Sequence, residues 1–125
     1  MTHDEILEIA RDRWDHKYEV ESVKAESSTQ VVNLYYYAND GSRSFYEPFD
    51  PTHNIAQAAD LVVHYRLAIL PYNYNDRLGW WFQDNGQHLS SAWFATWQLA
   101  VCAGALAKVR EKKDVYKMGS QTLRP

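Results

Sequence analysis

Ser91–Val109 reads SAWFATWQLAVCAGALAKV, and Arg110, Glu111, Lys112 and Lys113 follow it at once. Only Thr96, Gln98 and Lys108 interrupt the apolar run from Ala92 to Val109. A helix that is apolar on nearly every side has to be covered on nearly every side. Ser90 or Ser91 supplies the expected cap. Two other stretches are expected to cover this helix: a helical segment at Ile55–Leu67 and an aromatic strand at Leu78–Gln83 (LGWWFQ).

Working outward, Ile55, Ala58, Ala59, Val62 and Arg66 mark one face of the second helix, widened by Leu61, Val63 and Tyr65. Asp50, Thr52 and Asn54 all compete to cap it. Leu67–Tyr74 reads as a strand despite Pro71, and Asp84-Asn85-Gly86 as a turn, with a short edge strand at Gln87–Leu89. Toward the N-terminus, Gln30–Ala38 (QVVNLYYYA) is β-branched and aromatic, the composition of a strand. Asn39-Asp40-Gly41-Ser42 closes a hairpin onto Arg43–Phe49, because Asp-Gly tolerates the positive φ of a tight turn. Lys17–Ala25 is a first strand. Thr2 and Glu5 form a capping box ahead of a helix ending near Asp15. The predicted order is α-β-β-β-α-β-β-(β)-α: an α+β domain, an antiparallel meander with helices packed on it, spanning residues 1–118. Residues 119–125 read as a flexible tail.

The chain has 125 residues, 46% of them hydrophobic, with five Trp and nine Tyr, enough for one core without staples. Cys102 is the lone cysteine, which leaves no intrachain disulfide and fits a reducing, cytoplasmic compartment. Acids stand where a signal peptide would carry bases. Ala92–Val109 is short for a membrane span and carries Gln98 and Lys108, so no membrane partner is expected. The net charge of −3 is uneven: residues 1–50 hold eleven acids and five bases, residues 51–125 five acids and eight bases. The plain reading of Lys108–Lys117 is a solvated helix end whose cations suit the helix dipole.

Residues 50–110 carry a family resemblance. Thr52-His53-Asn54-Ile55-Ala56-Gln57-Ala58, Leu78-Gly79-Trp80-Trp81-Phe82 and Leu99-Ala100-Val101-Cys102-Ala103-Gly104-Ala105-Leu106 follow one another as a capped helix start, a Trp/Gly hairpin strand and a small-residue closing helix. This pattern resembles the small phage and prophage proteins with a phage ABA sandwich domain, a group near the NinX-like proteins; Asn54 stands where they usually have Asp. The resemblance implies a phage origin, a host bacterial cytoplasm and the fold. It implies no catalytic residues.

No motif on these pieces points to catalysis, a cofactor or a metal. Among the histidines His53, His64 and His88, only His64 has a helical partner, Asp60 at i−4, and an exposed pair is the plain reading. Met1-Thr2-His3 has the histidine-third arrangement that wraps copper or nickel, and chance accounts for it. Ser90, Ser91 and Cys102 have no base at a suggestive spacing.

The candidate constellation is aromatic. Neighbours on a strand face opposite ways, so Tyr35 and Tyr37 share a side while Tyr36 faces away, and Trp80 opposes Trp81. Tyr36, Tyr37, Tyr46, Arg77, Trp80 and Trp81 are therefore the candidate contacts to a host or phage protein, with Tyr36 near Tyr46 across the ladder. Ala100, Ala103, Gly104 and Ala107 permit close helix approach, within the chain or to a second copy. Trp93, Trp97, Ala100 and Gly104 are the candidate homodimer contacts. The leading expectation is a phage-encoded accessory protein acting by protein–protein interaction, inhibiting a host defence or metabolic system. The alternatives are a nucleic-acid-binding module using the sheet aromatics and the basic helix end, and a small-ligand-binding or enzymatic homo-oligomer.

Overall fold

A computed structural model describes residues 1–84, 88–89 and 92–122. Thr2 opens α1 (His3–Trp14) with a complete capping box: its Oγ1 accepts from Glu5 N at 3.2 Å, and its own N–H donates to Glu5 Oε1 at 2.9 Å. Ile6, Ile9 and Ala10 are the buried stripe of this helix. Three antiparallel strands follow, β1 (Glu19–Lys24), β2 (Gln30–Tyr37) and β3 (Arg43–Pro48), in the order β1-β2-β3. Both connections have three-residue loops with one residue in the left-handed region. It is Gly41 at φ 84° in the second and Ser28 at φ 65° in the first. Val32 and Leu34 point inward beneath α1, while Val31, Asn33 and Tyr35 point out. The β2–β3 register slips after Leu34↔Glu47 to Tyr35↔Phe45, which leaves Tyr46 as the extra residue of a bulge.

The contest to cap α2 (Ile55–Tyr65) is resolved by division of labour. Asn54 Oδ1 accepts from Gln57 N at 3.1 Å, while Asp50 holds the turn through Thr52 Oγ1 and the amides of His53 and Asn54. The buried Gln57 amide accepts from Asp50 N and donates to Pro48 O, both at 2.7 Å, tying α2 to the end of β3. The helix stops two residues short of the expected Leu67. Arg66 adopts φ 55°, its N–H donates to Val62 O, and the chain passes straight into β4 (Leu67–Tyr74).

β4 pairs with β5 (Arg77–Asp84) through a two-residue turn in which Asn75 and Asp76 both have positive φ, 51° and 61°. A short β6 (His88–Leu89) completes the order β4-β5-β6. Pro71 is accommodated because β4 is an edge strand. Its partner Trp80 uses its own N–H and C=O toward Phe94 on the far side, at 2.9 Å each, so no ladder donor is required of Pro71.

The long helix differs most from expectation at its start. α3 runs from Trp97 to Thr122, capped by Thr96 Oγ1, which accepts from Leu99 N at 3.1 Å. Ala92–Thr96 is not helical, because Phe94 bridges Trp80 and the Trp93 indole lies over Gly79, donating from Nε1 to Tyr72 O at 3.1 Å. Ser90 and Ser91, the expected caps, lie outside the described residues, as do Asn85, Gly86 and Gln87 of the expected turn and edge strand. At the other end α3 continues past Gly119, where the sequence reads as a tail, and residues 123–125 lie outside the described part.

Ala100, Val101, Cys102, Ala105, Leu106 and Val109 are buried. The expected cover is present, α2 on one side and β4–β5 on another, and α1 adds a third wall. The fold is α+β with two antiparallel sheets. No helix among the described residues is long and apolar enough to cross a membrane.

Arg66 and Gly79 offer opposite tests of this account. Arg66→Gly relieves a left-handed non-glycine residue and is expected to raise stability by about 0.5–1 kcal/mol. Gly79→Ala is expected to lower it, since an added Cβ would stand 1.9 Å from Trp93 Nε1. Urea unfolding of both variants reads the two signs.

Candidate interaction surface

Alternation along β2 and the pairing of β2 with β3 build an outer face on the first sheet from Asn33, Tyr35, Tyr37, Arg43 and Phe45, with Glu19 and Glu21 of β1 beside them. No helix among the described residues covers it; α1 lies on the opposite, inner face. Arg43 organises this face. Its guanidinium lies 4.1 Å from the Tyr35 ring centre and pairs with Glu19 at 3.0 Å and with Glu21. The Arg43 hydrogen bond holds the Glu19 carboxyl below its usual range, and Glu19 in turn pushes the Tyr37 phenol up. Phe45 meets Tyr35 edge-on at 5.9 Å.

Tyr36 and Tyr46 belong to the other face, beyond the buried Leu34. Tyr46 stacks on Tyr18 at 4.8 Å, Tyr36 meets Tyr46 edge-on at 6.4 Å, and Trp14 meets Tyr18 at 5.2 Å. The Tyr18 hydroxyl, and after it the Glu47 charge, hold the Tyr46 phenol above its ordinary range. The expected proximity of Tyr36 and Tyr46 is therefore found, with Tyr37 on the reverse side. Relative exposures of 44% for Tyr36, 60% for Tyr37, 56% for Phe45 and 49% for Tyr46 make this hairpin an aromatic surface on both faces.

Arg77, Trp80 and Trp81 stand apart, on the second sheet. Trp81 stacks on Tyr72 at 4.4 Å, and its Nε1 is shielded without a hydrogen-bond partner among the described residues. Trp80 faces the other way and is half-buried; Arg77 sits at the hairpin turn opposite Tyr74. The six predicted contacts thus fall on both faces of both sheets. The sequence reading missed Phe45, Tyr18 and Trp14 as members. The hairpin register was the available signal for Phe45, whereas nothing local announces that Tyr18 reaches Tyr46.

The candidate dimer contacts are largely used inside the chain. Ala100 and Gly104 are buried, and a Cβ on Gly104 would stand 3.1–3.2 Å from the Phe82 and Leu67 side chains. They present no surface to a second copy. Trp97 packs on the core, and Trp93 is half-buried over Gly79.

The remaining candidates have structural partners. Asp60 does not serve His64: both its oxygens are held at 2.9 Å by Arg13, whose guanidinium also lies 3.8 Å over Trp14. Burial, followed by the charge of Arg13, lowers the His64 pKa. His53 pairs with Asp50 at 2.9 Å in the open, and the side chain of His88 lies outside the described part. Among the described residues no group of three or more His, Cys, Asp and Glu side chains is placed to hold a metal. His3 Nε2 contacts Ser22 Oγ at 2.7 Å, and the Thr2 amide is engaged in the capping box.

The basic end of α3 is drawn onto α1: Arg110 and Lys113 pair with Glu8, and Lys112 with Asp12, at 3.2–3.4 Å. The side chain of Lys117 lies outside the described part. Asp12 also accepts from Tyr65 Oη at 2.6 Å.

A scan against protein-family models found no match, and searches of curated proteins and of solved structures found none either.

Cys102 is buried and its thiol is pushed up to about 12 by desolvation, with the charge of Asp50 adding to it. At pH 8 the thiolate fraction is then about one in ten thousand. A soluble disulfide reagent is expected to leave the native protein unlabelled and to react at once in urea. Fast native labelling would show that the helix core opens.

Proposed function

We propose that this chain is a phage-encoded accessory protein that acts by binding another protein, of the host or of the phage, through the aromatic β2–β3 hairpin. The observation that carries the reading is the uncovered outer face, where Tyr37 and Phe45 are exposed around the Arg43–Tyr35 stack. Tyrosine and arginine are among the residues on which binding energy concentrates, and rigid aromatics on paired strands lose little entropy on docking. The phage origin is supported by the resemblance of residues 50–110. A host cytoplasm as the place of action fits the lone, buried Cys102.

Nucleic acid is the weaker reading. Arg43 is already engaged by Glu19 and Glu21, and three cations of α3 are engaged by acids of α1. Phosphate neutralisation supplies most of the affinity of a non-specific nucleic-acid binder, and these cations are poorly placed for it.

The test compares wild type with Tyr37→Ser/Phe45→Ser as immobilised bait in bacterial lysate, with the fold of both checked by circular dichroism. The expected result is a specifically retained protein whose affinity for the double variant falls by at least about tenfold. An identical retained set for both baits would refute this surface. Gel filtration of the same samples separates self-association from capture of a different protein.

A further inference from the structure

The chain holds a guanidinium in the same way at two places. Arg13 lies over Trp14 and pairs with Asp60; Arg43 lies over Tyr35 and pairs with Glu19 and Glu21. Each site combines a ring face with a carboxylate, which suits a planar, weakly hydrated cation better than a compact ammonium.

Beside the first of these sites stand a further ring, Tyr46, and a further carboxylate, Glu47, that Arg13 does not engage. A cleft of about 280 Å³ opens between the end of α1, the bulged edge of β3 and the first turns of α2. Trp14, Tyr46 and Phe49 give it aromatic walls, and Glu47, Asp60 and Asn54 its polar ones. One face of the Tyr46 ring is stacked on Tyr18, yet the residue remains half-exposed. Asp60 has both oxygens engaged by Arg13, and the Gln57 amide is engaged by Asp50 and Pro48. Glu47 differs. It faces the helices opposite Leu34, is half-buried, and its carboxylate has no ion pair or hydrogen bond among the described residues. Lys17, the nearby cation, lies over the rings of Trp14 and Tyr18 at 5.9 and 5.5 Å and forms no ion pair with Glu47.

A carboxylate without a cation has acceptor sites to offer, and a guanidinium matches its planar geometry with two parallel hydrogen bonds. At about 280 Å³ the cleft has room for one long side chain. We propose that this cleft takes an arginine side chain of the partner protein, the guanidinium lying against the exposed part of Tyr46 and pairing with Glu47. The proposal rests on the protein-binding reading and adds to it a second contact, on the inner side of the hairpin at the β3 edge.

The probe is N-acetyl-arginine N-methylamide, titrated into the full-length ¹⁵N-labelled protein beside its neutral isostere, the citrulline derivative. Arginine is expected to shift the Trp14 indole and the Tyr46–Glu47 amides with a dissociation constant on the order of millimolar. Citrulline is expected to bind at least about tenfold more weakly, because it cannot pair with Glu47 as a cation. Glu47→Gln should reduce arginine to the citrulline level, while Leu78→Ser, exposed on the second sheet, should leave it unchanged. Equal shifts from both probes, no shift from arginine, or full arginine binding by a folded Glu47→Gln protein would each overturn the proposal. Should that variant fail to fold, the arginine–citrulline contrast on wild type decides alone. The titration needs no partner protein. Its failure, with capture still dependent on Tyr37 and Phe45, removes the cleft and keeps the binding reading; the reverse pattern removes the outer face.

Discussion

Helix α3 carries Ala100, Val101, Cys102, Ala105, Leu106 and Val109 fully or nearly fully shielded from solvent, and a helix with such a surface is stable only where other elements enclose it. Enclosure by α1, α2 and the β4–β5 hairpin fixes the positions of those elements, and the first sheet takes its place from α1 in turn. The missing side chain at Gly104 lets Phe82 and Leu67 approach the helix axis. A bulkier residue there would push the second sheet away from the core.

Charge separation along the sequence becomes charge pairing in space. The acid-rich α1 and the base-rich end of α3 lie side by side, with Glu8 between Arg110 and Lys113 and Asp12 between Lys112 and the Tyr65 hydroxyl. Exposed pairs of this kind contribute little stability individually. Their larger effect is to leave the basic segment with less unbalanced charge than its composition suggests.

The element order and the β2–β3 hairpin were legible because their signals are local. Gln30–Tyr37 is built of strand formers, Asp40-Gly41 has a turn it can close, and Thr2 with Glu5 spells its own cap. The start of α3 was not legible, because Trp93 and Phe94 suit a helix and a sheet equally until Gly79 and Trp80 provide a seat for them. The end of α2 was misjudged for a related reason: a left-handed arginine cannot be read from a residue that usually continues helices. At the candidate surface, period-two alternation correctly separated Tyr36 from Tyr37. The association of Trp14 and Tyr18 with Tyr46 depends on how α1 is laid across the strands, and no sequence spacing encodes it.

Pro71 and Pro48 each remove a backbone donor from a sheet edge. Pro71 lies on the outer strand of one sheet and Pro48 at the end of an outer strand of the other, where the Tyr46 bulge also interrupts regular pairing. Outer strands with a missing amide or a broken repeat are poor templates for a further chain. On these two edges the protein is guarded against open-ended strand addition, the route by which exposed sheets seed aggregates. The exposed aromatic rings of the β2–β3 hairpin therefore stand beside a β3 edge that offers side-chain contacts more readily than a backbone ladder.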